Sequence, residues 1–92
     1  MQLQIQVPSI LAHCLSGNQE TSLHASQLDE ALEILWQEYP LLKHHCLTKS
    51  GNIRPHILIY FNEDNIKWLD SLECKITEGD RLTILQAVSG GG

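Results

Sequence analysis

Ser26-Gln27-Leu28-Asp29-Glu30-Ala31-Leu32-Glu33-Ile34-Leu35-Trp36-Gln37-Glu38-Tyr39 is the stretch that decides how this chain folds. Leu28, Ala31, Leu32, Leu35, Trp36 and Tyr39 recur at helical spacing and line up as one wide apolar stripe. Asp29, Glu30 and Glu33 come early, where the positive end of the helix dipole favours carboxylates. Ser26 reads as the N-cap, and Asp29 completes a capping-box pattern with it. Pro40 disfavours helical geometry at Tyr39 and closes the segment. The spacing predicts one amphipathic helix over residues 26–39. Trp36 belongs to its core stripe, and Asp29, Glu30, Glu33 and Glu38 to a solvated face. A single apolar stripe needs an apolar surface to cover, and the flanking sequence supplies a sheet.

Upstream, Met1-Gln2-Leu3-Gln4-Ile5-Gln6-Val7 alternates polar and apolar residues. That is the period of a half-buried strand with Leu3, Ile5 and Val7 inward. Pro8 ends it or opens a turn. Ser16-Gly17-Asn18 reads as a turn and residues 19–25 as a second strand, so the chain opens with a β-hairpin around a long loop. Downstream, residues 41–47 read as a further short helical turn and residues 48–52 as a loop. Pro55-His56-Ile57-Leu58-Ile59-Tyr60-Phe61 is a strand rich in β-formers. Asn62-Glu63-Asp64-Asn65 reads as a turn and Ile66-Lys67-Trp68-Leu69 as a short strand, with Trp68 capping an edge of the sheet. Glu78-Gly79-Asp80 is a tight turn, and Arg81-Leu82-Thr83-Ile84-Leu85-Gln86 the last strand. The crossover through the helix allows the first and last strands to lie side by side in parallel. The predicted fold is therefore α+β: a β-grasp, or ubiquitin-like, mixed sheet with one main helix on one face. Residues 1–86 form the domain and residues 87–92 a flexible glycine tail.

The chain has 92 residues, 42% of them hydrophobic, which suits one small globular domain. Its formal net charge is −5, and its six basic residues are scattered. A phosphate backbone or an anionic membrane needs clustered Lys and Arg, so nucleic-acid and membrane binding are disfavoured. An acidic surface suits a basic protein partner. The three cysteines, Cys14, Cys46 and Cys74, are odd in number, widely spaced and without a CxxC, which argues against a disulfide framework. No signal-peptide pattern or membrane-spanning apolar stretch is expected, and the cytoplasm is the expected location.

Beyond the last strand the sequence reads Ala87-Val88-Ser89-Gly90-Gly91-Gly92. Glycine has no Cβ, so such a tail is thin enough to enter a narrow channel in another protein and present a terminal carboxylate there. Glycine-rich ends also occur as frayed termini or added residues.

Three stretches resemble the MoaD/ThiS family of ubiquitin-like sulfur carriers. His56-Ile57-Leu58-Ile59-Tyr60-Phe61-Asn62-Glu63-Asp64 is similar to the family's apolar strand and Asn-acidic turn. Ile76-Thr77-Glu78-Gly79-Asp80-Arg81-Leu82-Thr83-Ile84-Leu85 is similar to its Gly-Asp approach to the end. Ala87-Val88-Ser89-Gly90-Gly91 is similar to its small-residue and di-glycine terminus. Within the family, the segment from His56 to Ile66 and the approach through Gln86 most resemble carriers that serve cysteine or other sulfur-metabolite biosynthesis. Gln86 stands where the family usually has proline, and three glycines stand where it usually has two.

The resemblance implies a carrier, not an enzyme, with no catalytic residues and no bound cofactor or metal of its own. An E1-like adenylyltransferase/sulfurtransferase would adenylate the terminal glycine with ATP and Mg. A sulfur donor would then convert it to a thiocarboxylate, which a sulfur-accepting biosynthetic enzyme would consume. The reacting residue would be Gly92, or Gly91 if the last residue is extra, and Ala87, Val88, Ser89, Gly90 and Gly91 would thread the partner's channel. A processing or hydrolysing protease is a further implied partner. Molybdopterin synthase small subunit, which belongs to molybdenum cofactor biosynthesis, and ubiquitin-like protein modifier remain alternative functions, as does an unrelated β-grasp interaction domain.

Alternation along the late strands puts Ile57, Ile59, Phe61, Leu82 and Ile84 toward the helix. Leu58, Tyr60 and Leu85 then fall on the opposite face as a partner-docking patch. A register shift of one residue exchanges the two faces. His44-His45-Cys46 and His13-Cys14 lack the CxxC or HxxxH spacing of local zinc motifs, and read as surface histidines beside buried thiols.

Overall fold

The structure, a computed structural model, describes residues 1–87. β1 (Gln2–Gln6) leads into a 3-10 helix (Ser9–Leu15) and β2 (Glu20–His24). α1 (Leu28–Glu38) and α2 (Pro40–Cys46) follow. β3 (Ile57–Phe61), β4 (Asp64–Asn65), a 3-10 turn (Ile66–Trp68) and β5 (Arg81–Gln86) complete the order. The strands make one sheet in the order β2-β1-β5-β3-β4. β1 is antiparallel to β2 and parallel to β5, while β3 is antiparallel to both β5 and β4. This is the β-grasp arrangement, with the first and last strands adjacent and parallel at the centre.

Strand alternation determines which side chains meet the helix. Leu3, Ile5, Leu23, Ile57, Ile59, Phe61, Leu82 and Ile84 all point to one face. They form one buried core with Leu28, Ala31, Leu32 and Leu35 of α1. The register stacks Ile5 and Phe61 on either side of Leu82, and Ile59 against Ile84. No polar or charged side chain is buried among the described residues, so this core is held by apolar burial alone. Trp36 and Tyr39 are half-buried and pack on its rim.

Four local features differ from the sequence reading. First, α1 begins at Leu28 with Gln27 as its N-cap, and no side chain caps it. The expected Ser26–Asp29 box is replaced by main-chain partners. Leu28 N–H donates to the Cys74 carbonyl at 2.9 Å and Asp29 N–H to the Leu72 carbonyl at 2.9 Å. Glu30 reaches back instead, its Oε1 accepting from Ser26 N–H at 2.8 Å. A segment distant in sequence thus satisfies the free helix donors. Second, Pro40 starts α2 as well as stopping α1, because its fixed φ suits the first position of a helix.

Third, the strand expected over residues 66–69 is a 3-10 turn at Ile66–Trp68, and the expected turn contains β4 at Asp64–Asn65. Asn62 adopts φ 57°, so the chain reverses across a two-residue hairpin and pairs again at once. Asn65 Oδ1 then accepts from Lys67 N–H at 2.9 Å, which caps the short turn. Trp68, expected against the sheet edge, is 80% exposed. Fourth, the long loop after β1 holds the 3-10 helix Ser9–Leu15. Its Leu11, Cys14 and Leu15 are buried, and it ends at Ser16 with φ 57°.

Candidate functional site

The site begins where β5 ends. β5 lies between β1 and β3, so the chain leaves the middle of the sheet and not its edge. Ala87, assigned to the tail from sequence, still donates its N–H to the His56 carbonyl at 2.7 Å. The remaining tail residues expected to matter, Val88, Ser89, Gly90, Gly91 and Gly92, lie outside the described residues.

The approach to that exit is set by a clasp between two motifs far apart in sequence. Asn62 N–H donates to the Arg81 carbonyl at 2.8 Å, and Arg81 N–H donates to Asn62 Oδ1 at 3.0 Å. Asn62 Nδ2 donates to Asp80 Oδ1 at 3.1 Å. Asp80 Oδ2 accepts from Thr77 N–H at 2.8 Å, closing the turn in which Gly79 sits at φ 91°. The Thr77 N–H bond chiefly holds the Asp80 carboxyl below its ordinary range; burial opposes it, and the Asn62 and Thr77 side chains add to the lowering. Sequence reading identified both motifs but not their contact.

Leu58, Tyr60 and Leu85 stand on the face away from α1. Leu58 and Leu85 are register partners across β3–β5, and Tyr60 faces Thr83. Leu58 and Tyr60 are half-buried, and Leu85 is 41% exposed. Polar side chains border this patch on β1 and β2, where Gln6 Nε2 donates to Glu20 Oε1 at 2.7 Å. A groove of about 730 Å³ runs alongside, lined by Gln6, Pro8, Gln19, Glu20, Thr83 and Leu85 among others. The arrangement is an apolar strip with a polar rim, beside the point where the chain leaves the sheet.

The two His-Cys tandems lie close together. His13 Nε2 and Cys14 Sγ are 3.6 Å apart, and the donor atoms of His13, Cys14 and His45 all lie within 4.8 Å of one another. The His13 and His45 rings meet edge-on with centroids 5.4 Å apart. Burial pushes the Cys14 thiol up, and pushes Cys46 up to about 12 with help from Cys14. Burial lowers the pKa of His45, and His13, His44, Arg54 and His56 lower it further by repelling its charged form. Sequence spacing did not show this grouping, because it depends on packing the 3-10 helix against α2.

Comparison with known proteins places this geometry in context. A model of the ThiS family matches residues 5–91. The sulfur carrier protein CysO of Mycobacterium tuberculosis is 27% identical over 93 residues, covering 99% of this chain and 100% of that protein. A chain in the crystal structure of the Amycolatopsis orientalis BexX/CysO complex superposes with a TM-score of 0.77 at 26% identity, covering 97% of this chain and 99% of that one. The small archaeal modifier protein 1 (SAMP1) of Methanosarcina acetivorans superposes with a TM-score of 0.75 at 27% identity, over 98% of this chain and 96% of that one.

Proposed function

This chain belongs to the ThiS family, and on that premise we propose that it is a sulfur carrier whose C-terminal glycine is charged as a thiocarboxylate. The observation that carries this reading is the family match running through residue 91, into the glycines that follow the central strand β5. The likeness to CysO of Mycobacterium tuberculosis supports it. A free carboxylate is a poor acyl donor because its leaving group is oxide. Adenylation by a partner with ATP and Mg releases pyrophosphate and installs AMP as a good leaving group. Hydrosulfide then displaces AMP at the carbonyl carbon, giving –C(O)S⁻ and releasing one proton. The thiocarboxylate is a soft nucleophile that hands sulfur to an acceptor enzyme without free sulfide escaping. Cysteine or another sulfur-containing metabolite is the product class.

On this reading the domain presents and is recognised, and the chemistry belongs to its partners. The strip of Leu58, Tyr60 and Leu85 docks the activating adenylyltransferase, and Ala87, Val88, Ser89, Gly90 and Gly91 thread its channel. Gly92 is the charged residue, or Gly91 if the last residue is extra. The superposition on a chain of the BexX/CysO complex favours a carrier that docks on a protein partner. The likeness to SAMP1 of Methanosarcina acetivorans supports a second reading, a protein modifier joined to lysines through the same glycine.

Intact mass after incubation with a candidate activating enzyme, ATP, Mg and sulfide tests the proposal. The expected result is an ATP-dependent exchange of one oxygen for sulfur, reversed by an acceptor. Gly91→Val combined with Gly92→Val should block charging without changing the melting temperature, because a Cβ obstructs a narrow channel. A chain cut back to Ser89 that charges as fast as the full one would overturn the carrier reading. Higher-mass conjugates joined at lysine would support the modifier reading instead.

A further inference from the structure

The fold builds a donor set that the carrier chemistry does not use. The tandems His13-Cys14 and His44-His45-Cys46 come from different elements, the 3-10 helix Ser9–Leu15 and α2. Leu11 and Leu15 of the first and Leu42 and Cys46 of the second are buried in the common core, which fixes the two elements against each other. His13, Cys14 and His45 converge at their junction.

We propose that His13, Cys14 and His45 form a zinc site with its fourth coordination position open to solvent.

The geometry supports this in three ways. A tetrahedral ion with Zn–N of about 2.05 Å and Zn–S of about 2.3 Å holds its nitrogen and sulfur ligands roughly 3.6 Å apart. His13 Nε2 and Cys14 Sγ are separated by 3.6 Å. All the donor atoms lie within 4.8 Å, so a modest rotation of the third side chain closes the set. The His13 and His45 ring planes are 84° apart, so the two imidazoles approach from different directions instead of stacking. Two imidazoles and a thiol select a borderline ion such as zinc over magnesium or calcium, which prefer oxygen ligands. Three protein ligands leave one position for water or an outside donor. Access is through His13, which is exposed, and His45, which is half-buried, while Cys14 closes the buried side. Binding is a proton exchange without redox change: the Cys14 S–H bond breaks, a Zn–S bond forms, and the proton leaves to solvent.

The site is also tied to the root of the tail. Arg54 N–H donates to the Cys46 carbonyl at 2.9 Å, and Arg54 Nε donates to the His44 carbonyl at 3.3 Å. Ile57 N–H donates to the Arg54 carbonyl, and the adjacent His56 carbonyl accepts from Ala87 N–H. An ion that fixes α2 against the 3-10 helix therefore braces the end of the sheet from which β5 leaves.

Titration of the full chain with Co²⁺, followed by displacement with Zn²⁺, tests the proposal. One equivalent should bind with a thiolate-to-cobalt charge-transfer band and the visible bands of a tetrahedral ion. Zn²⁺ should raise the melting temperature. His13→Gln, at an exposed position, should keep the fold by circular dichroism. It should weaken binding by at least the roughly 10–100-fold that changes in outer-shell partners cost. Cys14→Ala should abolish the charge-transfer band, and His44→Gln should leave binding unchanged. A titration without the thiolate band, or a His13→Gln protein that binds as tightly as the parent, would overturn the site.

Discussion

Asn62 and Arg81 exchange hydrogen bonds in both directions: Asn62 N–H to the Arg81 carbonyl at 2.8 Å, and Arg81 N–H to Asn62 Oδ1 at 3.0 Å. Asn62 does this from a left-handed backbone with φ 57°, which Asn tolerates better than most side chains. The pair joins the hairpin after β3 to the first residue of β5, and so aims the strand that leads to the C-terminus. Asn62→Ala loses the side-chain bonds and strains the backbone, and should destabilise by about 1–2 kcal/mol. Asn62→Gly relieves the strain only and should fall between parent and Ala in denaturant melts. Equal stability of all three proteins would show that the clasp contributes nothing.

Asp80 gives the fold an acid dependence of definite sign. Its carboxyl lies below the ordinary range chiefly because it accepts from Thr77 N–H. A depressed folded pKa means that the ionised group's stabilisation is fully present above the unfolded value, about 3.9, and is lost as pH falls through the lower folded value. The melting temperature of Asp80→Ala should therefore trail the parent at neutral pH. The gap should close as the pH drops below the ordinary carboxylate range. A gap of constant size from neutral to strongly acidic pH would assign the effect to shape and not to charge.

The two faces of α1 predict opposite sensitivities. Leu35 is fully buried, so Leu35→Ala leaves a cavity and should cost about 2–5 kcal/mol. Glu33 is exposed, and Glu33→Ala should stay within roughly 0.5 kcal/mol. Comparable losses at both positions would contradict this placement of the helix.

Leu85 offers the cleanest test of the docking strip, because it is 41% exposed and sits opposite Leu58. Leu85→Asp should leave the melting temperature nearly unchanged. It should weaken binding to the activating enzyme by about tenfold or more, the scale of a lost hot spot that also buries a charge. Unchanged affinity in surface plasmon resonance would move the docking face elsewhere.

The sequence alone determined the framework. Polar–apolar alternation in β1 fixed which of its residues face inward, and the stripe from Leu28 to Trp36 supplied the helix that covers them. The same alternation grouped Leu58, Tyr60 and Leu85 on one face, which the structure turns outward, and the crossover through the helix allowed the parallel pairing of first and last strands that the sheet shows. These are properties of period, which any short window of sequence carries. Tertiary structure decided what depends on residues far apart in the chain. The helix start is capped by the Cys74 and Leu72 carbonyls, which no local cap pattern can reveal. The left-handed backbone at Asn62, bonded to Arg81 and Asp80, brought the chain back into β4 where sequence placed a turn. His13 and Cys14 meet His45 because buried leucines hold a 3-10 helix against α2. Hydrogen bonds and donor clusters form between whichever groups the packing brings within a few ångströms, and packing is not written in the spacing of any one segment.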